Sequence, residues 1–458
     1  MAFESIHKVY LLGIGGIGMS ALARYFYACG KEVAGYDLTP SVITGDLEAL
    51  GINIHYREDI QEIPASFRNK NDCIVVRTPA VPDQHLELKY FREEGYTVLK
   101  RAEVLSELFN GKRGIAIAGT HGKTSVTSMS AFIMSESALG CHAFLGGILK
   151  NTGSNLIMNE SSLWVVAEAD EFDRSFLFLK PEIALVTWID ADHLDIYSSA
   201  AEIEKAFQLF LDNVKEGGTI VVKQGIEVKN KKPDLRKYTY ALDSEKADFH
   251  ASKIRIQNSR YIFHIKTPQG VIEDVRLTIP GRTNIENAVG AASLAFCAGV
   301  PLDVIGESLS SFKGVQRRFD IQYENGRRIY IDDYAHHPRE LDAVIGSVRM
   351  LFPGKKITGV FQPHLYSRTR DFSNDFAQSL SKLDELILLD IYPAREKPIE
   401  GVSSDLIFDN VTIPSKTMCS KHDLLKILSA KDFEILLTMG AGDIDRFVEP
   451  VKKLVANK

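Results

Sequence analysis

The 458-residue chain has only five cysteines, Cys29, Cys73, Cys141, Cys297 and Cys419, and none stands in a CxxC pair. That spacing excludes a zinc ribbon or a secreted disulfide framework and leaves reduced, mostly buried thiols as the expectation. Long apolar runs are missing too. The longest stretch without charge, residues 287–302, is too short to span a bilayer and is interrupted by Gly290, Gly299 and Pro301. An Ala-rich buried helix is expected there. Charge of one sign is scarce: 54 Lys and Arg against 60 Asp and Glu leave a formal net charge of -6. Such a balance supplies no global basic field for a nucleic-acid polymer, although a local phosphate pocket is compatible with it. The first residues carry Glu4, His7 and Lys8 and no apolar signal core. No membrane partner is therefore expected, and the cytoplasm is the expected location. No internal repeat of fixed period and no low-complexity tract is found.

What is present is an ordinary globular composition, 45% hydrophobic and 25% charged. At roughly 150 residues per domain, the length suggests about three domains. The expected divisions are 1–111, 112–318 and 319–458. Apolar strands at 8–12, 32–36, 53–55 and 73–76 alternate with helical stretches, the last of them 101–108, before a linker at 110–114. Strands at 115–118, 164–167, 183–187 and 219–222 continue the pattern. Between 248 and 279 apolar and polar residues alternate, as in a small antiparallel insertion with one wet face. Further strands are expected at 329–331, 357–361, 385–390 and 434–438. The fold class is α/β: a Rossmann-like N-terminal domain, a central P-loop ATPase with a parallel sheet plus that insertion, and a Rossmann-like C-terminal domain.

Two phosphate-type turns stand out. Gly13-x-Gly15-x-x-Gly18 follows a strand and opens a helix, with Asp37 nineteen residues beyond Gly18. That is the dinucleotide fingerprint in its required context: glycine lets the backbone approach, and the helix start favours a diphosphate. Gly119-Thr120-His121-Gly122-Lys123-Thr124 follows a second strand. It is a shortened P-loop, because Ile117 stands where the first glycine of the full motif would be. Its N–H groups and Lys123 can hold the β- and γ-phosphates of ATP, and Thr124 can ligate Mg²⁺. A dehydrogenase needs only the first turn and a simple ATPase only the second. An enzyme that joins ATP cleavage to a nucleotide-carried substrate needs both.

Acidic clusters follow at 168–173, which includes Glu168, Asp170 and Glu171, and at 190–195, which includes Asp192 and His193. Carboxylates at strand ends beside a P-loop suit Mg²⁺. Farther on, Asp333-Tyr-Ala-His336-His337-Pro338 and Gln362-Pro-His364-Leu365-Tyr-Ser-Arg368-Thr-Arg370 close successive strands.

With Gly281-Arg-Thr-Asn284, Arg317-Arg-Phe-Asp320 and Gly440-Ala-Gly-Asp443, these motifs, in this order, resemble the Mur ligases, the ATP-dependent amide ligases of peptidoglycan synthesis. The resemblance covers essentially the whole chain. It is strongest for the branch that adds L-alanine to UDP-N-acetylmuramate through an acyl phosphate. It implies a UDP-binding domain, a central ATPase and a C-terminal domain that closes over ATP and the amino acid. It assigns Gly15, Gly16, Ile17 and Gly18 to the UDP diphosphate, with Asp37 as a further substrate contact. Gly119, Thr120, His121, Gly122 and Lys123 would hold ATP phosphates. Thr124 and Glu168 would bind a first Mg²⁺ and His193 a second. Asn284 would meet the adenine, and Arg317 and Asp333 other parts of ATP. His336, His337, His364 and Arg368 would lie near the muramoyl and alanine groups. Lys123, Glu168, His193, His337 and Arg368 are the catalytic candidates.

Two departures from the family pattern matter. Leu365 replaces an arginine usual in its loop, so Arg368 or Arg370 must be considered for that role. Gln208 stands where several members carry a carbamoylated lysine, the nearest lysine is Lys205, and no carbamate is expected. The alternatives are a ligase that recycles a tripeptide onto the same UDP-sugar, an NAD-dependent oxidoreductase and a non-catalytic nucleotide sensor. The segments 333–337 and 361–364 favour the alanine branch over the tripeptide one. A monomer or a homodimer is expected.

Overall fold

Val9, Tyr10, Leu11 and Leu12 are fully buried, so the first strand, β1 (Lys8–Leu12), must be covered on both faces. The computed structural model describes residues 3–458 apart from 172–173, 190–196, 198, 230–231, 258–259 and 395. β1 lies at the centre of a five-stranded parallel sheet with β2 (Glu32–Tyr36), β3 (Asn53–His55), β4 (Cys73–Arg77) and β5 (Thr97–Lys100), in the order β3-β2-β1-β4-β5. The chain leaves β1 to one side for β2 and returns to its other side for β4. The glycine turn after β1 therefore sits at the switch point where open α/β sheets bind ligands.

The second sheet has ten strands: β6 (Arg113–Ala118), β7 (His142–Leu149), β8 (Ser154–Ile157), β9 (Trp164–Glu168), β10 (Ile183–Val186), β11 (Thr219–Lys223), β12 (Arg236–Ala241), β13 (Phe249–Gln257), β14 (Arg260–Thr267) and β15 (Gly270–Leu277). Their order is β15-β14-β13-β12-β11-β10-β6-β9-β7-β8. β6 is flanked by β9 and β10, both parallel to it, and β7 pairs with β8 antiparallel. The segment expected as an insertion supplies β13 to β15, which extend this sheet at one edge. Residues 287–298 of the uncharged stretch form the last part of the helix Arg282–Ala298, with Ala288, Ala291 and Leu294 fully buried.

The third sheet runs β16-β17-β21-β18-β19-β20, from β16 (Asp320–Glu324), β17 (Ile329–Asp333), β18 (Ile357–Phe361), β19 (Glu385–Leu389), β20 (Lys416–Cys419) and β21 (Ile435–Met439). Only β16 is antiparallel to its neighbour. The C-terminal ends of β17, β21 and β18 lie side by side, and each is followed by one of the polar motifs.

The chain divides into two compact units. One comprises Met1–Ile254, Ile262–Arg276 and Ile285–Lys313, and the other Arg255–Tyr261, Leu277–Asn284 and Gly314–Lys458. The first unit holds two sheets because they share one apolar cluster: Leu11, Leu22, Phe26 and Phe109 from the N-terminal part join Ala116, Phe144 and Val165. Burying each large side chain is worth about 1.5–3 kcal/mol. The second unit has its own core, which includes Tyr330, Val360, Ile387 and Leu436. All five cysteines are free; Cys73 and Cys141 are buried, and Cys29 is exposed. Among the described residues no helix is long and apolar enough to cross a membrane.

Candidate active site

The N-terminal glycine turn is held by its own strands. The Gly13 and Ile14 N–H groups donate to the Tyr36 carbonyl at 2.8 and 3.0 Å, and Gly13 adopts φ +82°. Asp37 Oδ2 accepts from the Gly15 N–H at 2.7 Å, so this carboxylate fixes the turn itself. Gly16 caps the helix Ile17–Ala28, and no side chain caps it there. The first-turn N–H groups are thus left for an anion. Asn155 clamps the same turn by donating to the Ile17 carbonyl at 2.6 Å and to Ser20 Oγ at 2.9 Å.

The P-loop leaves β6 through Gly119, whose φ of +133° is closed to other residues and whose hydrogen side faces Thr187 and the Trp188 N–H. Gly122, in the left-handed region, caps the helix Lys123–Glu136. The Thr120 N–H donates to the Trp188 carbonyl at 3.0 Å, and Thr187 Oγ1 donates to the His121 carbonyl. Lys123 Nζ donates to the Gly119 carbonyl at 2.7 Å and to both carboxylate oxygens of Glu171 at 2.8 Å. Burial works against the Lys123 ammonium, but Glu171, Asp170 and Glu168 outweigh it and hold its pKa above the ordinary value. Glu168 ends β9, whose register sets it opposite Ile117 of β6, next to the P-loop strand. Its Oε1 accepts from the Gly146 N–H at 3.0 Å. A hard carboxylate on the strand beside a P-loop, with the Thr124 hydroxyl at the start of the following helix, is a donor set suited to Mg²⁺. Gly16, Gly18, Gly146, Glu168 and Asp170 line one cavity of about 270 Å³. His193 lies outside the described residues, as do Asp190, Asp192 and Asp195.

The other candidates belong to the second unit. Asn284 Nδ2 donates to the Pro280 carbonyl at 2.6 Å. Arg317, at φ +61°, donates through Nε to the fully buried Asp332 at 2.9 Å and through Nη2 to the Gly440 carbonyl at 2.6 Å. Asp333 accepts from the Phe319 and Ala335 N–H groups at 2.6 and 2.8 Å. Burial pushes its carboxyl up to about 6, against the pull of Arg318 and those N–H groups. His336 has its pKa lowered by burial, with Arg368 and Arg318 adding and Glu340 opposing, which favours a neutral imidazole. Its ring lies 6.0 Å from that of His364, which stacks on Tyr392 at 5.7 Å. His337 is the N-cap of the helix Pro338–Leu351, accepting from the Arg339 N–H at 3.4 Å, and its ring meets Phe372. Arg368 lies in the first turn of the helix Tyr366–Leu380, whose N-cap, Leu365, has φ 73°. A leucine there is strained.

Sequence reasoning assigned no role to Glu171, Gly146 or Arg101. Glu171 stood within a noted acidic cluster. Gly146 meets Glu168, and Arg101 meets Gly18, from segments distant in sequence.

Three family models match in succession: the Mur ligase family catalytic domain over residues 8–113, the Mur ligase middle domain over 117–295, and the Mur ligase glutamate ligase domain over 317–442. A UDP-N-acetylmuramate–L-alanine ligase of Parabacteroides distasonis is 50% identical over 459 residues, covering 100% of this chain and 99% of the relative. One from Phocaeicola vulgatus is 47% identical, with 100% of both covered. Among solved structures, a UDP-N-acetylmuramate–alanine ligase from Thermotoga maritima superposes with a TM-score of 0.83 at 26% identity, covering 98% of this chain and 100% of that one. A murein peptide ligase from Psychrobacter arcticus, at 20% identity and a TM-score of 0.73 over 99% of each chain, shares the fold. By these matches, and by motifs that run in the same order from residue 13 to residue 443, the chain belongs to the Mur ligase family.

Proposed function

We propose that the protein uses ATP to join L-alanine to the lactyl carboxylate of UDP-N-acetylmuramate, an amide ligation of peptidoglycan precursor synthesis. One observation carries this reading. A single cavity is lined at once by the first glycine turn and by Glu168, the carboxylate beside the P-loop. A UDP-sugar anchored at the turn can therefore extend its acid toward ATP phosphates held at residues 119–124. We assign the UDP diphosphate to residues 1–111, ATP to 112–318, and the amino acid and closure to 319–458. The protein would work in the cytoplasm as a monomer or homodimer.

The lactyl carboxylate attacks the γ-phosphorus of ATP, ADP leaves, and an acyl phosphate forms. The alanine amine then attacks the acyl carbon, phosphate leaves with the bonding pair, and the amine proton passes to a base. Lys123 offsets negative charge as the phosphoryl group transfers. Mg²⁺, held by Thr124 and Glu168, would neutralise further phosphate charge. A histidine or carboxylate near the amine would take that proton. The backbone of the 119–122 turn orients the phosphates.

The test measures phosphate release and product mass with ATP, Mg²⁺, UDP-N-acetylmuramate and single amino acids, with the tripeptide of the recycling reaction as a competitor. L-Alanine should give one ADP and one phosphate per amide. Preferential use of the tripeptide would reverse the choice of branch, and no coupled product with any acceptor would overturn ligation.

A further inference from the structure

The first turn of the helix Ile17–Ala28 carries an arginine from elsewhere in the chain. A Cβ built on Gly18 would lie 3.0 Å from both Cδ and Nη1 of Arg101 and 3.4 Å from its Cζ. The guanidinium therefore rests directly on the third glycine of the fingerprint. Arg101 is the first residue of the helix Arg101–Asn110 and is half-buried. Among the described residues its guanidinium enters no hydrogen bond or ion pair. It lines the same 270 Å³ cavity as Gly18 and Thr78, whose other end carries Glu168 and Asp170. Those two acids are assigned to the metal and lysine side. The glycine-turn end thus holds an unneutralised cation beside uncapped backbone N–H groups.

We propose that Arg101 is the cationic contact for the diphosphate of the UDP-sugar. The inference rests on the substrate reading above and adds a residue to it. A helix start contributes about half a positive charge, which cannot by itself balance a diphosphate. A guanidinium adds a full charge and a planar fork of donors that matches two phosphate oxygens. Glycine at position 18 then makes room for the arginine.

The experiment is calorimetric titration of the full chain with UMP, UDP, UDP-N-acetylglucosamine and UDP-N-acetylmuramate, for wild type, Arg101→Ala and Arg101→Lys. Arg101→Ala should weaken UDP and both UDP-sugars by a common factor of roughly 10 to 100, and UMP far less. Arg101→Lys should recover part of the loss, because it keeps the charge without the fork, and it also serves if the alanine variant folds poorly. Unchanged UDP affinity overturns the proposal. Equal losses for UMP and UDP also overturn it, since they mark a merely structural strut. A loss confined to UDP-N-acetylmuramate overturns it by giving Arg101 to the lactyl carboxylate, which UDP-N-acetylglucosamine lacks. Failure of the wild type to bind UDP-N-acetylmuramate would instead sink the substrate reading, whatever the variants do.

Discussion

Lys123 shows how the charge proposed for phosphoryl transfer is stored. Its ammonium is 16% exposed and meets a carboxylate, Glu171, that is 1% exposed. Burial lifts the Glu171 carboxyl and Lys123 pulls it back. Removing one partner strands the other, which costs about 3–5 kcal/mol for a buried pair. Lys123→Ala should therefore abolish phosphate release and also lower the urea midpoint. Adding Glu171→Gln should restore most of the stability and none of the turnover. A double variant as unstable as the single one would refute the pairing argument. Glu87 gives a second residue-scale case. It is fully buried and accepts from the Tyr10 hydroxyl at 2.7 Å, and burial pushes it up to about 7 from 4.5. The folded state therefore holds the proton more tightly than the unfolded chain does. The stability this provides is complete below pH 4.5 and is lost as pH rises through 7, up to about 3 kcal/mol in all. Glu87→Gln cannot ionise. Its stability relative to wild type, followed by urea unfolding, should rise between pH 5 and pH 8.

At the scale of elements, β7 and β9 set the position of Glu168. Gly146 lies on β7, and a Cβ there would meet both carboxylate oxygens of Glu168. Gly146→Ala must push that carboxylate aside while leaving the fold and the P-loop in place. Phosphate release should fall at least about tenfold, by more than 1.4 kcal/mol of transition-state stabilisation, and need more Mg²⁺ to saturate. An unchanged Mg²⁺ requirement would mean that Glu168 holds no metal. Such a contact explains what the sequence could and could not reveal. Strands that run straight into a glycine or polar motif, such as β1, β6 and β17, were legible because apolar run and turn chemistry agree. β7 was not, because Gly146-Gly147 interrupts its pattern, and β5, β8, β16 and β20 are short edge or near-edge strands with weak alternation. The two glycine turns were legible because the phosphate binding proposed for them lies in local backbone. Arg101, Gly146 and the Lys123–Glu171 pair depend on packing between segments far apart in sequence, which no local spacing encodes.

For the whole molecule, the expected three domains and the observed two units lead to a measurable distinction. The first two sheets share one apolar cluster and should unfold together, whereas the third has a separate core. Calorimetry should then show two transitions. Leu437, fully buried on β21, identifies the second: Leu437→Ala removes about 2–5 kcal/mol from the unit that holds the third sheet and should lower only its transition. UDP tests the first. Gly15, Gly18, Asp37 and Arg101 all lie in the first unit. A ligand at 100 times its dissociation constant stabilises the state that binds it by about 2.7 kcal/mol. For a unit of this size that is a rise of about 4 °C in one transition, with the Leu437-sensitive transition unmoved. If UDP raised both transitions equally, the two units would have to melt as one, and the shared cluster would no longer explain why the N-terminal and central sheets belong together. If it raised only the Leu437-sensitive transition, the diphosphate site would have to leave the glycine turn altogether.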